Sequence, residues 1–120
     1  AIGLQFYNKL KNNKNLFIPE PKKKYAKNIY WVIALLITMK KDNLDAKKVM
    51  YKLNKLGIGT RPFFWPMHKQ KILKNLKLDN SKQFKNSEYI SKYGFYLPSS
   101  LSLKKSEIDY ICRKINLILK

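Results

Sequence analysis

The chain has 120 residues, 45% of them hydrophobic, and a formal net charge of +19. That is the size of one domain with a modest core, and too apolar for a disordered segment. With Cys112 as the lone cysteine, an intrachain disulfide and a cysteine-rich zinc site are excluded, which suits a cytoplasmic setting. The charge is a weak pointer to nucleic acid. Only Arg61 and Arg113 are arginine, and the lysines scatter along the whole length. A solvated lysine-rich surface explains the charge better than a phosphate-reading one, so nucleic acid is not expected as a partner.

The chain opens at Ala1 and reads like the middle of a longer polypeptide, with no secretory leader in view. Apolar positions at Ile2, Leu4, Phe6, Tyr7 and Leu10 predict an irregular helix over residues 1–14. Pro19 and Pro21 end it, and Lys22 to Lys24 form a basic connector. Asn28 to Met39 is β-branched and aromatic and predicts a buried strand. An interfacial segment is the other reading, but the run is too short to span a bilayer, so no membrane is expected as a partner. Asp42 or Asn43 is expected to cap the next helix, whose apolar face is Ala46, Val49, Met50, Leu53 and Leu56, with Gly57 closing it. Asp45 shares the spacing of a cap residue.

Ile58 to Trp65 reads as extended, held to an edge by Pro62 and Pro66. Residues 67–80 read as a loop with a short helix, and Ser87 to Tyr93 as a second short helix before Gly94. Phe95 to Leu97 is a short strand. Ser102 is expected to cap a last helix with Ile108, Ile111, Cys112, Ile115, Ile118 and Leu119 inward. The sum is an α+β layer, a short sheet with helices on one face.

Gly57 to Gln70 (GIGTRPFFWPMHKQ) is the most unusual stretch. Within fourteen residues it holds one of two arginines, the sole histidine, three consecutive aromatics and two prolines. Arg61 can pair with a phosphate or carboxylate, and His68 can exchange a proton near neutral pH. Phe63, Phe64 and Trp65 are either core or flat binding surfaces. In a strand, Phe63 and Trp65 would face one way and Phe64 the other. Cys112 reads as a buried small hydrophobe. No glycine-rich phosphate loop and no metal-ligand cluster occurs, so no metal is expected as a partner. These residues alone name no enzyme, and a basic nucleic-acid-binding module stays open as an alternative.

The same stretch resembles a loop of the DegT/DnrJ/EryC1/StrS family of sugar aminotransferases, in which a G-I-x-T-R-P-x-F-x-P-x-H-x-Q pattern recurs. Gly94 to Ser100 (GFYLPSS) with Leu103 to Ile111 (LKKSEIDYI) is similar to the family's closing segment, and Ala1 to Leu4 (AIGL) to an earlier one. The flavour is perosamine-synthetase-like. The resemblance implies the small C-terminal domain of the aspartate-aminotransferase fold over residues 1–120. It implies a pyridoxal phosphate cofactor bound mainly by an N-terminal domain outside this chain, along with its catalytic lysine. It also implies glutamate as amino donor, a nucleotide-linked keto-sugar as acceptor, a homodimer and a role in polysaccharide biosynthesis. By itself the chain is expected to be inactive. Carried over, Arg61 would face an anionic group of the substrate, Phe63 to Trp65 would line the sugar or nucleotide, and His68 would bond substrate or position the loop. A non-catalytic member of the family is a further alternative. The family's first helix continues for several turns beyond AIGL, whereas here Gln5 meets Phe6 at once, which suggests a missing stretch at that junction.

Overall fold

A computed structural model of the chain describes residues 2–39, 43–76 and 84–120. Helix α1 (Ile2–Leu10) leads to strand β1 (Leu16–Phe17) and a two-stranded hairpin, β2 (Lys22–Lys23) and β3 (Ala26–Lys27). Strand β4 (Ile33–Ile37), helix α2 (Ala46–Asn54) and strand β5 (Arg61–Pro62) follow. Next come a 3₁₀ turn (Met67–Lys69), helices α3 (Lys71–Asn75) and α4 (Lys85–Tyr93), strand β6 (Gly94–Leu97) and helix α5 (Lys105–Ile118).

The main sheet is antiparallel with order β1-β4-β6-β5. In β4 the residues alternate: Ile33, Leu35 and Ile37 are buried and the two between are half-buried. Opposite them, Leu97 pairs with Ile33 and Phe95 with Leu35, so one sheet face is apolar throughout. That face shares its core with Phe6 and Leu10 of α1, Val49 and Leu53 of α2, and Ile108, Ile111 and Ile115 of α5. A short sheet with helices against one face is the α+β layer that the residue pattern predicts.

Two helices stand where their apolar stripes put them; the cap of α2 falls on one of the residues with cap spacing, and that of α5 differs from expectation. Asp45 caps α2, its carboxylate accepting the Lys48 backbone N–H at 2.9 Å. Asn43 lies upstream with positive φ, and Asp42 falls outside the described residues. Leu56 lies past the helix and is 36% exposed, because the chain turns away there. At that end Ile58 N–H bonds Leu53 C=O at 3.0 Å and Gly57 N–H bonds Asn54 C=O at 2.9 Å. This is a Schellman motif, and its left-handed residue is Gly57 at φ 74°. On α5 the cap position is Lys104, not Ser102. The Lys104 backbone N–H donates to Glu107 Oε2 at 2.7 Å, while Ser102 bonds Ser100.

The expected strand over 28–39 is shorter than its sequence suggests. Asn28 Oδ1 accepts the Tyr30 backbone N–H at 2.8 Å, and Tyr30 takes φ 53°, so the chain turns before Ile33. Ile29 and Trp31 are consequently exposed. Helix α1 passes through Gln5 and Phe6 without a break, with Phe6 fully buried. The loop expected over 67–80 contains the 3₁₀ turn and α3, and residues 77–80 lie outside the described set.

Candidate functional site

The Schellman turn of α2 delivers the chain to the sheet edge, where Arg61 pairs with Tyr96 and Pro62 with Phe95. Pro62 suits an edge strand, since its missing N–H breaks no ladder bond there. Arg61 is exposed and lines a groove of about 280 Å³ with Thr60, Tyr96 and Ser99. One guanidinium beside three hydroxyls makes a donor-rich surface able to hold an anionic group.

After Pro62 the strand ends, so the alternation expected for three aromatics does not apply. Phe63 and Phe64 both reach Tyr96, with ring centroids 4.5 Å and 6.1 Å from it. None of the three is core. Phe63 is half-buried, whereas Phe64 is 71% and Trp65 60% exposed. Phe63 covers Gly94 so closely that a Cβ there would overlap its ring. Burial raises the Tyr96 phenol above its usual range and keeps it a neutral hydrogen-bonding group.

Trp65 starts a second group. Its Nε1–H donates to the Lys69 C=O at 3.1 Å, and the buried Pro66 that follows it starts the 3₁₀ turn. The turn presents His68 and Lys69 together to one carboxylate of α4. His68 Nε2 lies 2.9 Å from Glu88 Oε1, and Lys69 Nζ lies 3.0 Å from Oε2. The His68 ring also packs on Phe84 at 4.8 Å. The hydrogen bond from His68, then that from Lys69, holds the Glu88 carboxyl below the usual carboxylate range. Alongside runs a groove of about 420 Å³ bordered by Trp65, Lys69, Glu88, Tyr89, Lys92 and Tyr93. Tyr89 ties α4 to the sheet, its hydroxyl donating to the Ile37 C=O at 3.1 Å.

The five residues singled out in the sequence therefore form two clusters. Arg61, Phe63 and Phe64 gather on Tyr96; Trp65 and His68 gather with Lys69 on Glu88. Tyr96, Glu88 and Tyr89 carry no motif of their own. The one signal for Glu88 was its rarity, as one of seven acidic residues in a chain of 26 basic ones. Cys112 is buried in α5. Among the described residues no group of three His, Cys, Asp or Glu could hold a metal ion, and no helix is long and apolar enough to cross a membrane.

The model of the DegT/DnrJ/EryC1/StrS aminotransferase family matches residues 2–116. This chain belongs to that family. No curated protein sequence matches it. Helicobacter pylori PseC, an aminotransferase involved in the biosynthesis of pseudoaminic acid, superposes with a TM-score of 0.81 at 19% identity, over 98% of this chain and 31% of that chain. DesI, solved in the presence of its TDP-sugar product, gives a TM-score of 0.82 at 14% identity, over 98% of this chain and 29% of that one. The Escherichia coli GDP-4-keto-6-deoxy-D-mannose-3-dehydratase, solved with bound hydrated pyridoxal phosphate, gives 0.68 at 23% identity, over 98% and 28%. These likenesses establish the fold, that of a portion of a family aminotransferase. The chain spans less than a third of the length of each of these neighbours.

Pyridoxal phosphate is the cofactor that this family implies, and the described residues do not by themselves make its site. No polar or charged side chain among them is buried, so no lysine amine stands desolvated at the end of a pocket.

Proposed function

We propose that this chain is the small C-terminal domain of a pyridoxal-phosphate-dependent aminotransferase that converts a nucleotide-linked keto-sugar to an amino sugar, with glutamate as donor. The observation that carries this reading is the family match along nearly the whole chain, within which Arg61 and an exposed aromatic group stand together at the sheet edge. Pyridoxal phosphate, when bound, supplies the electron sink for amino transfer. Its lysine and phosphate contacts would lie in the larger part of the full-length enzyme. This chain would position the acceptor: Arg61 on an anionic group, Phe63, Phe64 and Trp65 against the sugar or base, His68 on a hydroxyl. A homodimer in the cytoplasm serving polysaccharide biosynthesis completes the proposal.

The dehydratase among the structural neighbours favours one second reading, a cofactor reaction on a nucleotide sugar other than amino transfer. The test is the absorption spectrum of the full-length protein with pyridoxal phosphate, before and after glutamate. Conversion of the cofactor band by glutamate, followed by its return when a nucleotide keto-sugar is added and an amino sugar forms, supports amino transfer. Sugar turnover with loss of a hydroxyl supports the dehydratase reading. A protein that binds no cofactor is the non-catalytic member of the family.

A further inference from the structure

His68 is the sole histidine of the chain, and its side chain is 14% exposed. Three contacts fix it: the 3₁₀ turn holds its backbone, Phe84 packs on its ring, and Glu88 takes Nε2 at 2.9 Å. A carboxylate only accepts, so this bond requires the proton on Nε2. Among the described residues Nδ1 makes no hydrogen bond. Glu88 is itself braced. Lys69 grips its other oxygen at 3.0 Å, and it stands in the first turn of α4, where the helix dipole favours negative charge. Tyr89, the next residue, ties that helix to β4 through Ile37.

From this arrangement we propose that Glu88 is a positioning residue: it locks His68 as the Nε2–H tautomer and leaves Nδ1 as the lone-pair acceptor for a hydroxyl or ammonium group of the substrate. The proposal rests on the reading of the 57–70 loop as substrate-facing and adds the direction of the hydrogen bond. Substrate donates and His68 accepts. A neutral imidazole free in solution exchanges between tautomers, so in the neutral ring the carboxylate is what keeps Nδ1 the acceptor.

The test reads the tautomer directly. Nitrogen-15 shifts of His68, assigned by their loss in His68→Ala, are measured in the full-length protein above pH 8, in wild type, Glu88→Gln and Glu88→Ala. The expected result is one fixed Nε2–H tautomer in wild type and in Glu88→Gln, whose amide oxygen still accepts. Averaged shifts of a free imidazole are expected in Glu88→Ala, with an unchanged far-ultraviolet dichroism spectrum. Identical shifts in all three proteins, or a proton on Nδ1 in wild type, overturn the proposal. Should Glu88→Ala not fold, the wild-type tautomer still decides. In the full-length enzyme, Glu88→Ala and His68→Ala are each expected to raise KM for the nucleotide sugar about tenfold, the loss of one directed hydrogen bond. A fixed tautomer with an unchanged KM in His68→Ala would leave the lock standing and overturn its role toward substrate.

Discussion

The ring of Phe63 lies on the bare Cα of Gly94, in the space that a side chain at Gly94 would fill. The contact joins the loop after β5 to the first residue of β6, beneath the Phe63–Tyr96 ring pair. It is what holds the first aromatic of the candidate loop against the sheet.

Gly94→Ala should therefore destabilise the chain and loosen the loop together. The added methyl meets Phe63 and also the Ile90 carbonyl oxygen, 2.5 Å away. Overpacking of this kind costs about 1–3 kcal/mol. Gly59→Ala is the control, because nothing lies within 4 Å of a Cβ there. It should stay within about 0.5 kcal/mol of wild type. Urea denaturation of both variants checks the difference, and equal midpoints would contradict it.

Phe95→Ala should be among the most damaging single changes. Phe95 is fully buried in the central strand pair, opposite Leu35. Removing its ring leaves a cavity between sheet and helices and should cost about 3–5 kcal/mol. A domain of this size has only about 5–15 kcal/mol in total. Loss of a cooperative thermal transition in the variant is the expected outcome.

The sequence placed the layers and missed the joints, and the reasons are physical. Burial at Val49, Leu53, Ile108, Ile111 and Ile115 was legible because a helix repeats its contacts every three or four residues. The strand over 28–39 was overdrawn because the Asn28–Tyr30 turn competes through one side-chain bond, which no periodicity records. Asp45 was legible as a cap residue by its spacing, whereas the cap at Lys104 was displaced for the same reason as the strand, since one bond decides it. Arg61 and His68 stood out by rarity, but the pairing of His68 with Glu88 spans twenty residues and leaves no pattern to read. The rings of Phe63 and Phe64 gather on Tyr96 only because β5 and β6 are neighbours in the sheet.

Acid should weaken the fold through two carboxylates. Asp109 is held below its ordinary 3.8 by its hydrogen bond to Lys9, 2.6 Å away across α1 and α5. Glu88 is held below 4.5, first by His68 and then by Lys69. In that window the unfolded chain binds more protons than the folded one, so stability rises with pH. The contribution is complete above about pH 5 and is lost as pH falls through the lowered values. Asp109→Asn should flatten this acid slope, as followed by thermal denaturation between pH 2 and 6. An unchanged slope would show that the Lys9 pair is not coupled to folding.

Cys112 should be chemically silent in the folded chain. Burial pushes its thiol up to about 12, so the thiolate is scarce at neutral pH. A disulfide reagent at pH 8 should label it only as fast as the protein opens, and at once in denaturant. Immediate labelling of the native chain would contradict the packing of α5.

Under the proposed function, this chain positions the sugar acceptor within an aminotransferase. The deciding measurement is amino transfer from glutamate to a nucleotide-linked keto-sugar by the full-length enzyme, in wild type and Arg61→Ala. The expected result is an amino-sugar product, with kcat/KM for the sugar nucleotide reduced in Arg61→Ala by about 10–100-fold, the loss of a charge-assisted hydrogen bond. The conversion of cofactor by glutamate alone should not change. No amino sugar from wild type, or equal kcat/KM in the two proteins, would contradict it.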